Sequence, residues 1–165
     1  LLTRLGMKNS SLVWREDYAG RVAQEQNYRR GPMPKWKPSV AHAASSLHTT
    51  AEDYAKFVAL MMARYEGAAH QRKDETMTSM LGRATEVEGG VYWGLGWGLQ
   101  ETEIGDQFWH WGNNGNVFHH FITASRDKRS GVVVLTNSQN GRRLFRDLIP
   151  RFMETEQPAI TWLGY

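Results

Sequence analysis

The sequence predicts an α+β fold, an antiparallel sheet with flanking helices. Two patterns carry that reading. Tyr54, Phe57, Val58, Met61 and Met62 recur at helical spacing. From residue 91 to 136 the chain turns into short aromatic and β-branched runs punctuated by Gly and Asn. Helical sequence followed by a block of strands segregates into layers instead of alternating, which marks this class.

Residues 6–46 show no sustained period and carry Gly31, Pro32, Pro34 and Pro38 among Trp14, Trp36 and polar residues. They predict an irregular segment, and one so long in a compact domain points to a lid or to a surface completed by other chain. The first helix has Thr49 or Thr50 as its N-cap, Glu52 or Asp53 as the capping-box acid, and Gly67 as its end. A weaker surface helix is expected over about 68–81, its centre from Gln71 to Glu75 being solvated in character.

From Trp93 to Leu99 large residues alternate with glycine. This predicts one strand with a nearly bare face, open to a ligand or backbone or packed on a neighbouring helix. Three further strands are expected over 107–111, 117–124 and 131–136, joined by Asn113-Asn114-Gly115 and by a charged turn, in an antiparallel meander. Val132, Val133, Val134 and Leu135 are apolar on both faces and predict the most central strand. A last helix over 142–153 is expected to pack by Leu144, Leu148, Ile149 and Phe152, with Pro150 bending it. The whole, residues 1–165, reads as a single domain.

Composition closes several classes. No apolar run approaches the length of a membrane span. The absence of cysteine removes disulfides, thiolate zinc sites and a cysteine nucleophile together. The net charge of +3 is spread, and Tyr28-Arg29-Arg30 and Gly141-Arg142-Arg143 each offer only two adjacent charges, so no nucleic acid partner is expected. His119 and His120 are strand neighbours facing opposite ways, so no metal site is expected, and no cofactor is implied. Trp93, Trp97, Trp109 and Trp111 invite a sugar-stacking reading, but a core or cleft wall is the better one.

Five segments stand in order: Leu5-Gly6-Met7-Lys8-Asn9-Ser10-Ser11; 43–57, from Ala43-Ala44-Ser45-Ser46-Leu47 to Phe57; Tyr92-Trp93-Gly94-Leu95-Gly96-Trp97; His110-Trp111-Gly112; and Val132-Val133-Val134-Leu135-Thr136-Asn137-Ser138. In that order the chain resembles the C-terminal part of the serine beta-lactamase and penicillin-binding-protein-like hydrolases, in the class C-like esterase and peptidase branch. The resemblance implies that His110 moves a proton or holds the substrate, and that Gly112 and the backbone N–H of Asn113 serve substrate and oxyanion. Trp111 replaces the small residue usual at that place, which speaks against a beta-lactam substrate.

The family's other two elements, Ser-x-x-Lys and Tyr-x-Asn, are not matched in usable places. Ser125-Arg126-Asp127-Lys128 fits by letter but falls in a charged turn where its Lys stays hydrated. Ser138-Gln139-Asn140 stands at the wrong point of the chain order, and no Tyr-x-Asn occurs.

Because the Leu-Gly-Met segment follows the Tyr-x-Asn loop in this family, the chain is expected to begin mid-protein and to be inactive alone. Its expected partner is a small-molecule or peptide substrate in the complete enzyme, in a periplasmic or extracellular setting by resemblance. Self-association is expected through apolar surface along the sheet or under the helix that Thr50 caps. The alternative is a noncatalytic binding module that keeps the sheet and its aromatic wall.

Overall fold

A computed structural model describes residues 1–26, 34–65 and 75–165, without the side chains of 64 and 65. The expected helix end at Gly67, the first part of the 68–81 helix and the Tyr28-Arg29-Arg30 run lie outside the described residues. Short 3-10 turns at Thr3–Leu5 and Glu16–Tyr18 open an otherwise irregular N-terminal segment. Helices α1 (Ala51–Tyr65) and α2 (Glu75–Met80) follow. The sheet comprises β1 (Thr85–Glu88), β2 (Val91–Trp93), β3 (Gly98–Gln100), β4 (Gln107–Asn114), β5 (Phe118–Ser125) and β6 (Ser130–Thr136). Helices α3 (Arg143–Met153) and α4 (Pro158–Trp162) close the chain.

Thr50 caps α1 as expected, its hydroxyl accepting the Asp53 N–H at 3.2 Å. Asp53 does not complete a capping box. Its buried carboxylate turns to the N-terminal segment, accepting Asn9 N–H at 2.7 Å and Ser10 Oγ at 2.9 Å, with Lys56 Nζ at 2.8 Å. The sequence-remote turn around Met7 is thereby tied to α1.

The strands run β1 to β6 in sheet order, each antiparallel to the next. Alternation sends Phe108, Ile122 and Ala124 to one face, where they pack with Val58 and Met61 of α1. Trp109 and Phe121 go to the other, against Phe145 and Ile149 of α3 and Ile160 of α4. A satisfied polar cluster sits in the sheet. Gln100 Nε2 donates to Gln157 Oε1 at 2.6 Å, and Gln100 Oε1 accepts the Ala159 N–H at 2.9 Å.

Three expectations change. The glycine-alternating run is a hairpin and not one strand. Gly94 donates its N–H to the Trp97 carbonyl at 2.8 Å, and Gly96 turns the chain with φ of +79°. The bare face is taken up by protein, since a Cβ on Gly98 would run into the Trp109 indole. β6 is a terminal strand, not the central one. It is apolar on both faces because helices cover both: Val133 joins the α1 cluster, while Val132 and Val134 join the α3 cluster. On α3 the buried row is Phe145, Ile149 and Met153, whereas Leu144 and Phe152 face solvent. Two apolar rows stand side by side on that helix, and the row carrying Phe145 wins by packing its ring, tilted at 42°, against Phe121.

Candidate functional site

His110, Gly112 and Asn113 all lie on β4. β3 pairs with β4 only as far as Trp109, whereas β5 pairs along its whole length. From His110 onward β4 therefore has β5 on one side and no strand on the other, among the described residues. A substrate backbone could lie along that free side.

His110 is partly buried between aromatic rings, with Trp97 at 5.4 Å and Trp93 at 6.3 Å, both edge-on. Its Nδ1 lies 2.8 Å from the Trp111 carbonyl. A carbonyl only accepts, so Nδ1 carries the proton and Nε2 of the neutral ring is left as an acceptor. Burial lowers the His110 pKa, against a smaller opposite pull from the Trp111 carbonyl. The ring is thus neutral near pH 7 and able to take a proton.

A cavity of about 820 Å³ opens over this face of the sheet. Its floor includes His110, His120 and Ile122, and its walls include Arg21 and His48 from the N-terminal half and Tyr54 of α1. The irregular segment thus forms a wall of the cavity. His48 is fixed in an aromatic stack, with the Tyr18 ring at 5.9 Å. No Asp or Glu lines the cavity among the described residues. Burial raises the Tyr54 pKa, which disfavours a phenolate there.

Of the three residues expected from sequence, only His110 lines the cavity. Gly112 lies beneath the His120 ring, which a Cβ would strike, so its bareness serves a protein side chain and not an acyl group. The Asn113 side chain, on the opposite face by alternation, is exposed and accepts the Asn116 N–H at 2.9 Å in the hairpin turn. Asn113 contributes to a site, if through anything, through its backbone N–H.

His120 was not legible as a site residue. Its place follows from the β4–β5 register, which sets it opposite Gly112 and diagonal to His110. Burial, with the nearby charges of His110 and His119, pushes the His120 pKa down to about 4. His119 is buried on the other side of the strand, and its ring nitrogens have no close hydrogen-bond partner among the described residues. Burial and Arg142 both lower its pKa.

Ser125 ends β5, fully buried, and its Oγ accepts the Lys128 N–H at 3.3 Å. It does not line the cavity, and Lys128 is exposed. The serine thus sits on the strand and not in the turn where the sequence placed it. Trp97 and Trp109 are buried in the two cores, and Trp93 and Trp111 pack against them.

A beta-lactamase family model matches residues 1–152. Three solved structures share the fold. A beta-lactamase/D-alanine carboxypeptidase from Pseudomonas syringae gives a TM-score of 0.71 at 17% identity, over 93% of this chain and 50% of its own. A penicillin-binding protein from Bacillus halodurans gives 0.68 at 16%, over 92% and 46%. An octameric penicillin-binding protein homologue from Pyrococcus abyssi gives 0.63 at 21%, over 84% and 32%. The chain spans half or less of the length of each of these. No curated protein matches it.

Proposed function

This chain belongs to the beta-lactamase family, and from that premise we propose that it forms the sheet-bearing portion of a serine hydrolase acting through an acyl-enzyme. The observation that carries the proposal is His110. It stands where β4 loses its β3 partner, faces a cavity, and holds its Nδ1 proton on the Trp111 carbonyl so that Nε2 is free to accept. A neutral imidazole so fixed suits taking a proton from an attacking hydroxyl or returning it to a leaving group.

In this reading the Asn113 N–H supplies one donor to the developing oxyanion. Gly112 keeps the strand close to His120, so that both imidazoles border one cavity. With no Asp or Glu lining it among the described residues, the cavity favours neutral or anionic ester, amide or peptide substrates. The nucleophile and its lysine belong, by this proposal, to polypeptide other than these 165 residues, because the sole Ser-x-x-Lys match is Ser125.

The test is direct. The purified chain is offered a chromogenic ester and a chromogenic beta-lactam, and no turnover is expected, since its one Ser-x-x-Lys serine, Ser125, does not line the cavity. Turnover that survives purification and disappears with Ser125→Ala would overturn the assignment of the nucleophile.

A further inference from the structure

The start of α3 carries charge of the sign its dipole disfavours. The positive end of a helix is stabilised by acids, yet the first turn of α3 has none. Arg142 stands at the N-cap, Arg143 follows it, and Arg146 comes one turn after Arg142. Like charges at that spacing repel. None of the three has an ion-pair partner among the described residues, and neither has Asp147 beside them. The helix does not use these side chains as caps either. Arg142 makes no side-chain cap bond, and the N–H groups of Arg143, Leu144 and Phe145 are donated to the carbonyls of Asn140, Gly141 and Arg142.

The three arginines line a cavity of about 200 Å³ whose other side is Gly164 and Tyr165. Gly164, at φ of +72°, turns the chain after α4 back toward α3. The Tyr165 ring thereby rests 5.9 Å from the Phe145 ring and 6.5 Å from that of Trp111, with the Arg142 guanidinium 5.9 Å from its centre. This cavity is separate from the one His110 faces. The two share no lining residue, and Phe145, Trp111 and Tyr165 belong to the core on the opposite face of the sheet. No Asp or Glu lines it among the described residues.

We propose that this cavity binds a phosphate group, held by the side chains of Arg142, Arg143 and Arg146. A guanidinium presents paired N–H donors that match two oxygens of one oxyanion. Three of them around one small cavity suit a tetrahedral dianion, which offers an oxygen edge to each, better than a planar monoanion such as acetate. The bound charge also relieves the repulsion among the arginines and supplies the anion that the end of α3 lacks. The volume admits a phosphate alone or with a small ester group, so inorganic phosphate and a small phosphate monoester share the required chemistry. The site stands independently of the hydrolase reading, since it uses none of the residues that carry that reading.

Thermal unfolding of the 165-residue chain tests this at fixed ionic strength and about pH 8, where phosphate is a dianion. Inorganic phosphate, glycerol phosphate and acetate are added separately. Inorganic phosphate is expected to raise the midpoint saturably, by roughly 3–6 °C at about ten times its dissociation constant, and acetate to leave it in place. Glycerol phosphate acting at lower concentration than inorganic phosphate supports the site with a monoester as its ligand, and the reverse order supports it with the free ion. Arg142→Gln and Arg146→Gln are each expected to weaken the phosphate response about tenfold, and Arg151→Gln, at the far end of α3, to keep it. Should the first two variants fail to fold, the comparison of phosphate with acetate in the wild type decides alone. A phosphate response matched by acetate, or one that survives both Arg142→Gln and Arg146→Gln, overturns the proposal.

Discussion

The His120 imidazole lies directly on Gly112 across the β4–β5 pair, filling the space a side chain at residue 112 would need. The glycine and the histidine are therefore a matched pair, and the cost of changing one depends on the other.

Gly112→Ala forces its Cβ into the His120 ring. The expected loss is about 1–3 kcal/mol, the range for overpacking a filled interior. His120→Ala removes the obstacle, so the double variant should recover much of that loss, and chemical denaturation of the two single variants and the double reads the coupling. Additive single effects would mean that the ring and the glycine do not meet.

What the sequence revealed follows the range of the forces involved. The α1 cap at Thr50 and the hairpin turn after Asn113 were legible, because a cap and a tight turn depend on a few adjacent residues. β1 was missed, since Thr85-Glu86-Val87-Glu88 is wholly exposed and offers no apolar side to detect. β6 was misplaced because apolarity on both faces reports cover by any layer, and here helices supply it. In the site, His110 was marked by a local motif. His120 became visible only through register, and the cavity walls at His48 and Tyr54 only through tertiary packing.

Two titrations should divide the pH dependence of stability into separate windows. Burial opposes ionisation of Asp53, but hydrogen bonds from Lys56, Ser10 and the Asn9 N–H outweigh it and hold its pKa below the ordinary value. Its stabilisation is full above the ordinary carboxylate pKa and is lost as pH falls through the folded one. His120 also has a lowered folded pKa, about 4, so the unfolded chain takes up its proton first. Stability is therefore expected to decline from about pH 6.5 downwards toward the folded value. Denaturant midpoints should fall between neutral pH and pH 5 in the wild type and less in His120→Phe. Asp53→Asn should cost about 2 kcal/mol at neutral pH and flatten only the more acid limb. Equal slopes in all three proteins would contradict both assignments.

Gln100 anchors the chain's end to the sheet through Gln157 and the Ala159 N–H. Gln100→Leu leaves a buried N–H and a buried carbonyl without partners, at about 1–3 kcal/mol each before relaxation. Amide exchange at Ala159 should accelerate more than exchange within β5. Protection that stays unchanged at Ala159 would show that apolar packing of Ile160 alone holds α4.

The central claim is that His110 carries chemistry and not packing. The decisive measurement, on the function proposed above, is turnover and thermal midpoint of His110→Ala in a protein that joins this chain to the Ser-x-x-Lys segment the proposal assigns to other polypeptide. Turnover is expected to fall roughly 10²-fold to 10⁴-fold, the range for losing a positioned acid or base, with the midpoint nearly unchanged. A variant that melts early and keeps its specific activity would contradict it, leaving His110 as a spacer between Trp93 and Trp97.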